Sequence, residues 1–144
     1  MEEREQPGLQ AVQLEVVALR PLYCDDTGDG TEIILRSGER LWQPRRIRAV
    51  RAELAHLFGV DLVAVRRRYG QLLARSSSVP LPLAAHLILV PVRLRRPRCR
   101  GDASLGYVSL HEVKEVRDLG PGPFRCALIL ASGAEVPALS HRRV

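Results

Sequence analysis

The stretch His86-Leu-Ile-Leu-Val-Pro-Val92 has the length and apolar character of a short buried strand, and it runs directly into a dense arginine segment. Five of the eight residues from Arg93 to Arg100 are arginine. Further runs with strand character follow at about 106–117, 124–131 and 134–139, separated by turns that contain glycine or proline. Short strands bounded by such turns are typical of antiparallel sheets. The second half of the chain is therefore predicted to be β-rich.

The first part of the chain also has the pattern of strands. Residues 11–19 are predicted to form a strand, because Val12, Leu14 and Val16 alternate with the polar Gln13 and Glu15, as in a half-buried strand. The composition of residues 25–30 is typical of a turn. The segments 31–36 and 39–42 flank Ser37-Gly38, which predicts a hairpin.

The middle of the chain carries the helical signals. Apolar residues recur at helical spacing after Pro44 and before Gly59, which predicts a helix over about 45–58. The other face of that helix is expected to be solvated, and it carries Arg45, Arg48, Arg51 and Glu53. Residues 61–75 fit a second helix capped by Asp61, but Gly70 weakens this prediction. The sequence therefore leaves two alternatives for this segment, a helix and an irregular structure. Pro80 and Pro82 predict an extended connection.

These elements together predict one domain of the α+β class, β-rich, over residues 11–144, preceded by a flexible lead over residues 1–10. A hydrophobic content of 46% in 144 residues is sufficient for one core. The three cysteines are odd in number and have no CxxC spacing, which disfavours a disulfide framework and a zinc ribbon. Since no apolar run approaches the roughly 20 residues of a membrane span, a cytoplasmic protein is expected.

The charge of the chain is positive and unevenly distributed. Four glutamates against one arginine give residues 1–17 a net charge of −3, which leaves +9 for the remainder of a chain whose total is +6. Of the 22 basic residues, only Lys114 is lysine. Such a bias also arises from a GC-rich genome, but the planar guanidinium group suits phosphates and base edges. The positive charge and its arginine-rich composition together favour an anionic partner such as nucleic acid.

No constellation of residues for catalysis or metal binding is evident. The four histidines form neither HxxxH nor HExxH, and His111-Glu112 is expected within a strand, where the two side chains point to opposite faces. Cys99 is the nearest approach to a nucleophile, and no positioned base accompanies it. Asp25, Asp26 and Asp29 lack the spacing of an EF-hand. The sequence therefore predicts a protein that is not an enzyme and uses no metal or cofactor.

Three arginine clusters remain as the candidate site. The sparse aromatic residues provide no platform for stacking single-stranded bases, so the clusters favour double-stranded DNA, including its narrow A/T-rich minor groove. The candidate DNA-binding residues are Arg66, Arg67, Arg68, Arg93, Arg95, Arg96, Arg98, Arg100, His141, Arg142 and Arg143.

The order of several short motifs resembles the ComK family of competence transcription factors. No single motif is specific, but the shared order covers about residues 15–143. The motifs are Phe58-Gly59, Arg66-Arg-Arg68, Ser78-Val-Pro-Leu-Pro82, Leu87-Ile-Leu-Val-Pro-Val92, Arg96-Pro-Arg-Cys99, Tyr107-Val-Ser-Leu-His-Glu-Val-Lys-Glu115, Leu130-Ala-Ser-Gly133 and Val136-Pro-Ala-Leu-Ser140.

Parts of the same chain are also similar to the LytTR DNA-binding domain, namely Leu35-Arg-Ser-Gly38, the predicted helix, and the segments 107–115 and 137–143. Both resemblances imply a sequence-specific regulator of transcription that acts as a homodimer or higher oligomer. The ComK resemblance implies A/T-rich targets near DNA-uptake genes, and the LytTR resemblance implies that Arg142 reaches DNA.

A protein-interaction module is the alternative to a DNA-binding regulator. Such a module would pair with a longer ComK-like regulator and modulate it without binding DNA itself. Its expected interface is the edge of an exposed strand near residues 106–117.

Overall fold

A computed structural model describes residues 7–26, 28–73 and 79–139 of the protein, and it confirms the β-rich α+β class. Two antiparallel sheets and three α-helices make up this part of the chain. The helices are α1 (Leu9–Val12), α2 (Ile47–Leu57) and α3 (Leu62–Leu73). The strands are β1 (Val16–Cys24), β2 (Gly28–Leu35), β3 (Arg40–Gln43), β4 (Leu81–Ala84), β5 (Leu87–Arg93), β6 (Leu105–Ser109), β7 (Val113–Asp118), β8 (Cys126–Leu130) and β9 (Glu135–Ala138).

The larger sheet has six strands in the order β3-β2-β1-β6-β5-β4, and the smaller sheet has the order β7-β8-β9. One core cluster lies between the helices and the larger sheet, with Leu19, Ile33 and Leu54 fully buried. A second cluster joins the other face of that sheet to the smaller one, and it includes Ile34 and Val136. The molecule therefore has three layers, with the larger sheet in the middle.

The prediction of a strand over residues 11–19 is wrong in its first half. Residues 9–15 form α1 and a 3₁₀ turn, and β1 begins only at Val16. Leu9 is buried there, and Gln13 Nε2 donates a hydrogen bond to the carbonyl oxygen of Leu57 at 3.1 Å. Packing against the end of α2 thus overrides the alternation of side chains, and Leu14 remains 60% exposed.

The hairpin around Ser37-Gly38 is confirmed, since β2 and β3 pair in antiparallel register up to Ile34 and Arg40. The helix predicted over 45–58 is also confirmed as α2, which ends where Gly59 adopts a φ of +70° and donates to the carbonyl oxygen of His56 at 2.9 Å. That left-handed conformation is the one that favours glycine after a helix.

The uncertain segment 61–75 contains α3, so the helical alternative is the correct one over Leu62–Leu73. Asp61 caps its first turn as predicted. The Asp61 Oδ1 atom accepts hydrogen bonds from the backbone N–H groups of Val63 at 2.9 Å and Ala64 at 3.2 Å. These two bonds satisfy donors that the first turn of a helix leaves without a partner.

The run 106–117, predicted as one strand, is two strands in different sheets. A 3₁₀ turn at Leu110–Glu112 separates β6 from β7. The argument that His111 and Glu112 face opposite sides of a strand is therefore wrong, although Glu112 has another role as acceptor from Arg36 Nε at 3.3 Å. The segment predicted as an extended connection at Pro80 and Pro82 is extended, but Pro82 lies within β4, an edge strand, where a proline is tolerated.

Candidate functional site

The segment 93–104, which we call the arginine loop, joins the ends of β5 and β6. Its two ends are held together because the backbone N–H groups of Leu94 and Arg95 both donate to the carbonyl oxygen of Ser104, at 2.9 and 3.3 Å. The Leu94 side chain is 2% exposed and fills the second core cluster. The loop is therefore fixed at its base by the sheet and by apolar packing.

Arg95 points inward, in contrast to its neighbours. Its side chain is 9% exposed, its Nη1 lies 2.7 Å from Asp29 Oδ1, and its Nε donates to the carbonyl oxygen of Ala103 at 2.6 Å. The guanidinium carbon is also 4.0 Å from the centroid of the Tyr23 ring. Arg95 was predicted to contact DNA, but these contacts give it a structural position that ties the arginine loop to β2.

Tyr23, at the end of β1, is the second anchor of the loop. Its hydroxyl donates to Asp102 Oδ2 at 2.6 Å and accepts a hydrogen bond from the backbone N–H of Arg98 at 2.8 Å. The guanidinium of Arg98 lies over the same ring at 4.4 Å. Sequence reasoning missed Tyr23 because the predicted first strand ended at Leu19, whereas β1 continues to Cys24, five residues further.

The electrostatics of this anchor keep Tyr23 protonated and Asp102 ionised. Burial raises the pKa of the Tyr23 phenol, and the hydrogen bond to Asp102 raises that pKa further. The same hydrogen bond is the main cause that lowers the pKa of Asp102, and the positive charge of Arg95 lowers it too. A protonated donor and an ionised acceptor form the stronger kind of hydrogen bond.

Four arginines of the loop point into solvent. They have no carboxylate within 4.0 Å among the residues that the structure describes, and they are Arg93, Arg96, Arg98 and Arg100. Some other exposed arginines are paired, for example Arg45 with Glu53 and Arg117 with Glu115. Arg48 and the three arginines of α3, Arg66, Arg67 and Arg68, are exposed and also have no carboxylate within 4.0 Å among the described residues. The loop is thus a concentration of exposed positive charge without counter-ions from the described chain.

The cluster Arg66–Arg68 lies on α3, where all three side chains are exposed. The structure brings one of them towards the arginine loop, because Arg66 and the end of the loop, from Gly101 to Ser104, line the same cleft. Two of the three predicted arginine clusters, the one on α3 and the one in the arginine loop, therefore border the same cleft. The third cluster, His141, Arg142 and Arg143, lies outside the described residues.

The cleft has a volume of about 430 Å³ and separates the two helices from the arginine loop. Four guanidinium groups line it, from Arg46, Arg48, Arg51 and Arg66, together with the carboxylates of Asp29 and Asp102. Arg46 lies at the N-terminal end of α2, whose partial positive charge faces the same region. The helix side of the cleft is therefore strongly basic.

Arg51 departs from the expected solvated face of α2. Its side chain is half-buried, its Nη1 donates to the hydroxyl of the buried Tyr107 at 2.6 Å, and its guanidinium lies 5.6 Å from the centroid of that ring. Its Nε is buried without a hydrogen-bond partner. Arg48, one turn earlier, is exposed and lines the same cleft as Arg51.

Comparison with protein-family models, with curated proteins and with solved structures found no match. Within residues 7–26, 28–73 and 79–139, no group of three or more histidine, cysteine, aspartate or glutamate side chains is placed to hold a metal ion. None of the helices in this described part of the protein has the length and apolar character required to cross a bilayer.

Proposed function

We propose that the protein binds double-stranded DNA through the arginine loop and regulates transcription. The observation that carries the proposal is the set of four exposed guanidinium groups on a loop that is anchored at Arg95, Tyr23 and Asp102. Exposed charges that the described carboxylates leave unpaired are free to bind phosphates. Because the loop is anchored, fewer degrees of freedom are lost when it binds.

Duplex DNA suits this surface better than a single strand. Binding to single strands without sequence preference depends on aromatic side chains that stack on bases. The Tyr23 ring is already covered by two guanidinium groups, and Tyr107 is buried. Arginines held side by side match the phosphates of a duplex and the negative potential of a narrow A/T-rich minor groove.

The finer parts of the proposal rest on the resemblance to ComK-like and LytTR proteins. They are a sequence-specific site, control of DNA-uptake genes and action as a homodimer. A cytoplasmic location is also part of the proposal, and it rests on the amino-acid sequence and not on the resemblance. The hydrogen bond from Leu139 N–H to the carbonyl oxygen of Arg93, at 2.9 Å, supports a contribution from the C-terminal arginines, since the chain at Leu139 lies beside the base of the arginine loop.

The alternative of a protein-interaction module receives less support. Its expected edge near 106–117 is divided, because β6 lies inside the larger sheet between β1 and β5. The remaining part, β7, is an edge strand with four charged residues among its six, namely Lys114, Glu115, Arg117 and Asp118. Charges on an edge strand oppose pairing with another strand.

The test is duplex binding by fluorescence anisotropy at several salt concentrations. The double variant Arg98→Ala/Arg100→Ala should bind more weakly, and the slope of log affinity against log salt should fall by about 2, since each phosphate contact contributes about 0.9 to that slope. The thermal unfolding midpoint should fall only slightly, because both side chains are exposed and the contact of the Arg98 guanidinium with the Tyr23 ring is worth about 0.5–1 kcal/mol at an exposed site.

The matched control is Arg36→Ala/Arg117→Ala, which removes the same charge from arginines that already pair with carboxylates. The control should retain the salt slope of the unmodified protein. If the two double variants lose affinity equally, the attraction is a property of the net charge and the arginine loop is not the binding site.

A further inference from the structure

The arginine cleft, defined by Arg46, Arg48, Arg51 and Arg66, has the size of a site for a small molecule. Its volume of about 430 Å³ lies within the roughly 300–1,000 Å³ that is usual for ligand pockets. A single phosphate group would occupy only part of that space. The cleft therefore offers room for a phosphate together with the organic group that carries it.

The two sides of the cleft differ in charge. The helices contribute Arg48, Arg51 and Arg66, and Arg46 immediately precedes α2, whereas the strand and loop side contributes Asp29 and Asp102. Asp29 pairs with Arg95 at 2.7 Å and lies 4.0 Å from Arg46, and Asp102 accepts a hydrogen bond from the Tyr23 hydroxyl. Arg48, Arg51 and Arg66 have no carboxylate within 4.0 Å among the described residues, so most of the positive charge on the helix side is not neutralised. A ligand with a phosphate at one end and hydroxyl or amino donors at the other would satisfy both sides.

Arg51 supplies an independent reason for an anion in the cleft. It is a half-buried guanidinium with no carboxylate within 4.0 Å among the described residues, and its Nη1 is held by a neutral hydroxyl. A charge that is partly removed from water without a counter-ion is unfavourable. An anion next to the Arg51 guanidinium would offset that cost.

We propose that the arginine cleft binds a small phosphate ester of about the size of a mononucleotide. The phosphate lies among Arg48, Arg51 and Arg66, and hydroxyl or amino groups of the ligand face Asp29 and Asp102. Such binding is a second function, separate from the duplex binding proposed for the arginine loop, because the outward arginines of the loop do not line the cleft.

Isothermal titration calorimetry of the whole protein with four probes tests the proposal. The probes are ribose 5-phosphate, adenosine monophosphate, inorganic phosphate and adenosine. We expect the two esters to bind more tightly than inorganic phosphate, and adenosine not to bind. Arg48→Ala should weaken binding of the esters by about tenfold, as expected for the loss of a hydrogen bond to a charged group. Absence of heat from both esters, or binding of inorganic phosphate alone, overturns the proposal.

Variants separate this site from the DNA surface. Arg51→Gln should weaken ester binding too, but its contact with Tyr107 also contributes to folding, so the exposed Arg48 is the primary variant. Arg117→Ala is the control and should bind the esters normally, as should Arg98→Ala/Arg100→Ala. A duplex that displaces the ester, together with a loss of duplex affinity in Arg48→Ala but not in Arg117→Ala, would assign the cleft to a backbone phosphate and overturn the small-molecule proposal.

Discussion

Replacement of Asp29 by alanine should cause a large loss of stability, because it leaves the Arg95 guanidinium without its counter-ion. The two side chains are only 12% and 9% exposed, and their closest atoms are 2.7 Å apart. Arg95 Nη2 already lacks a hydrogen-bond partner, so no second acceptor compensates. Breaking a buried pair from one side costs about 3–5 kcal/mol. We expect Asp29→Ala to lose this amount from the free energy of unfolding.

Urea unfolding followed by circular dichroism measures this loss, with an unchanged m-value as evidence that the same surface is exposed on unfolding. The matched control is Glu53→Ala, which removes a carboxylate from the exposed pair with Arg45 and should cost about 0–1 kcal/mol. Duplex affinity of Asp29→Ala should fall, because the arginine loop loses an anchor. The dependence of that affinity on salt should persist, because the exposed arginines of the loop remain. If Asp29→Ala is no less stable than Glu53→Ala, Arg95 does not anchor the loop.

Three further substitutions test the anchor and the core. Below pH 10, Tyr23→Phe should have a lower thermal unfolding midpoint than the unmodified protein, and this difference should narrow above pH 10. Burial and the hydrogen bond to Asp102 raise the pKa of the Tyr23 phenol in the folded protein. The unmodified protein therefore loses this stability as the pH rises from the unfolded pKa of 10.0 through the higher folded pKa. A gap that stays constant to high pH in thermal melts would refute this linkage. Gly106→Ala should cost about 1–3 kcal/mol, because a β-carbon would lie 2.7 Å from the carbonyl oxygen of Leu19, and an unaltered urea midpoint would contradict this close approach. Leu54→Ala should cost about 2.7–5 kcal/mol at a fully buried position, measured in the same urea assay, and a loss below 1 kcal/mol would mean that α2 is not part of the core.

The elements that local patterns specify were predictable from the sequence. The spacing of apolar residues and the terminal glycine were sufficient for α2, and Ser37-Gly38 was sufficient for the hairpin. Both signals act over a few residues. The division between β6 and β7 was not predictable in this way, because the run 105–118 has strand character on both sides of the 3₁₀ turn, and only packing of the second sheet separates the two.

The site was predictable in its composition but not in its organisation. An arginine cluster is visible in the sequence, but which guanidinium turns inward depends on a partner far along the chain. Arg95 pairs with Asp29 across 66 positions, and Tyr23 reaches Asp102 across 79. The cleft likewise depends on the juxtaposition of α2, α3 and the arginine loop, which no local pattern encodes.

Duplex binding by the unmodified protein can be tested by fluorescence anisotropy with an A/T-rich and a G/C-rich duplex across a salt titration. A regulator that binds DNA through the arginine loop should bind the A/T-rich duplex tightly, prefer it clearly over the G/C-rich one, and depend steeply on salt. Weak binding that is indifferent to sequence and disappears near physiological salt would contradict this mode of binding, since it would leave only a general attraction between a basic protein and a polyanion.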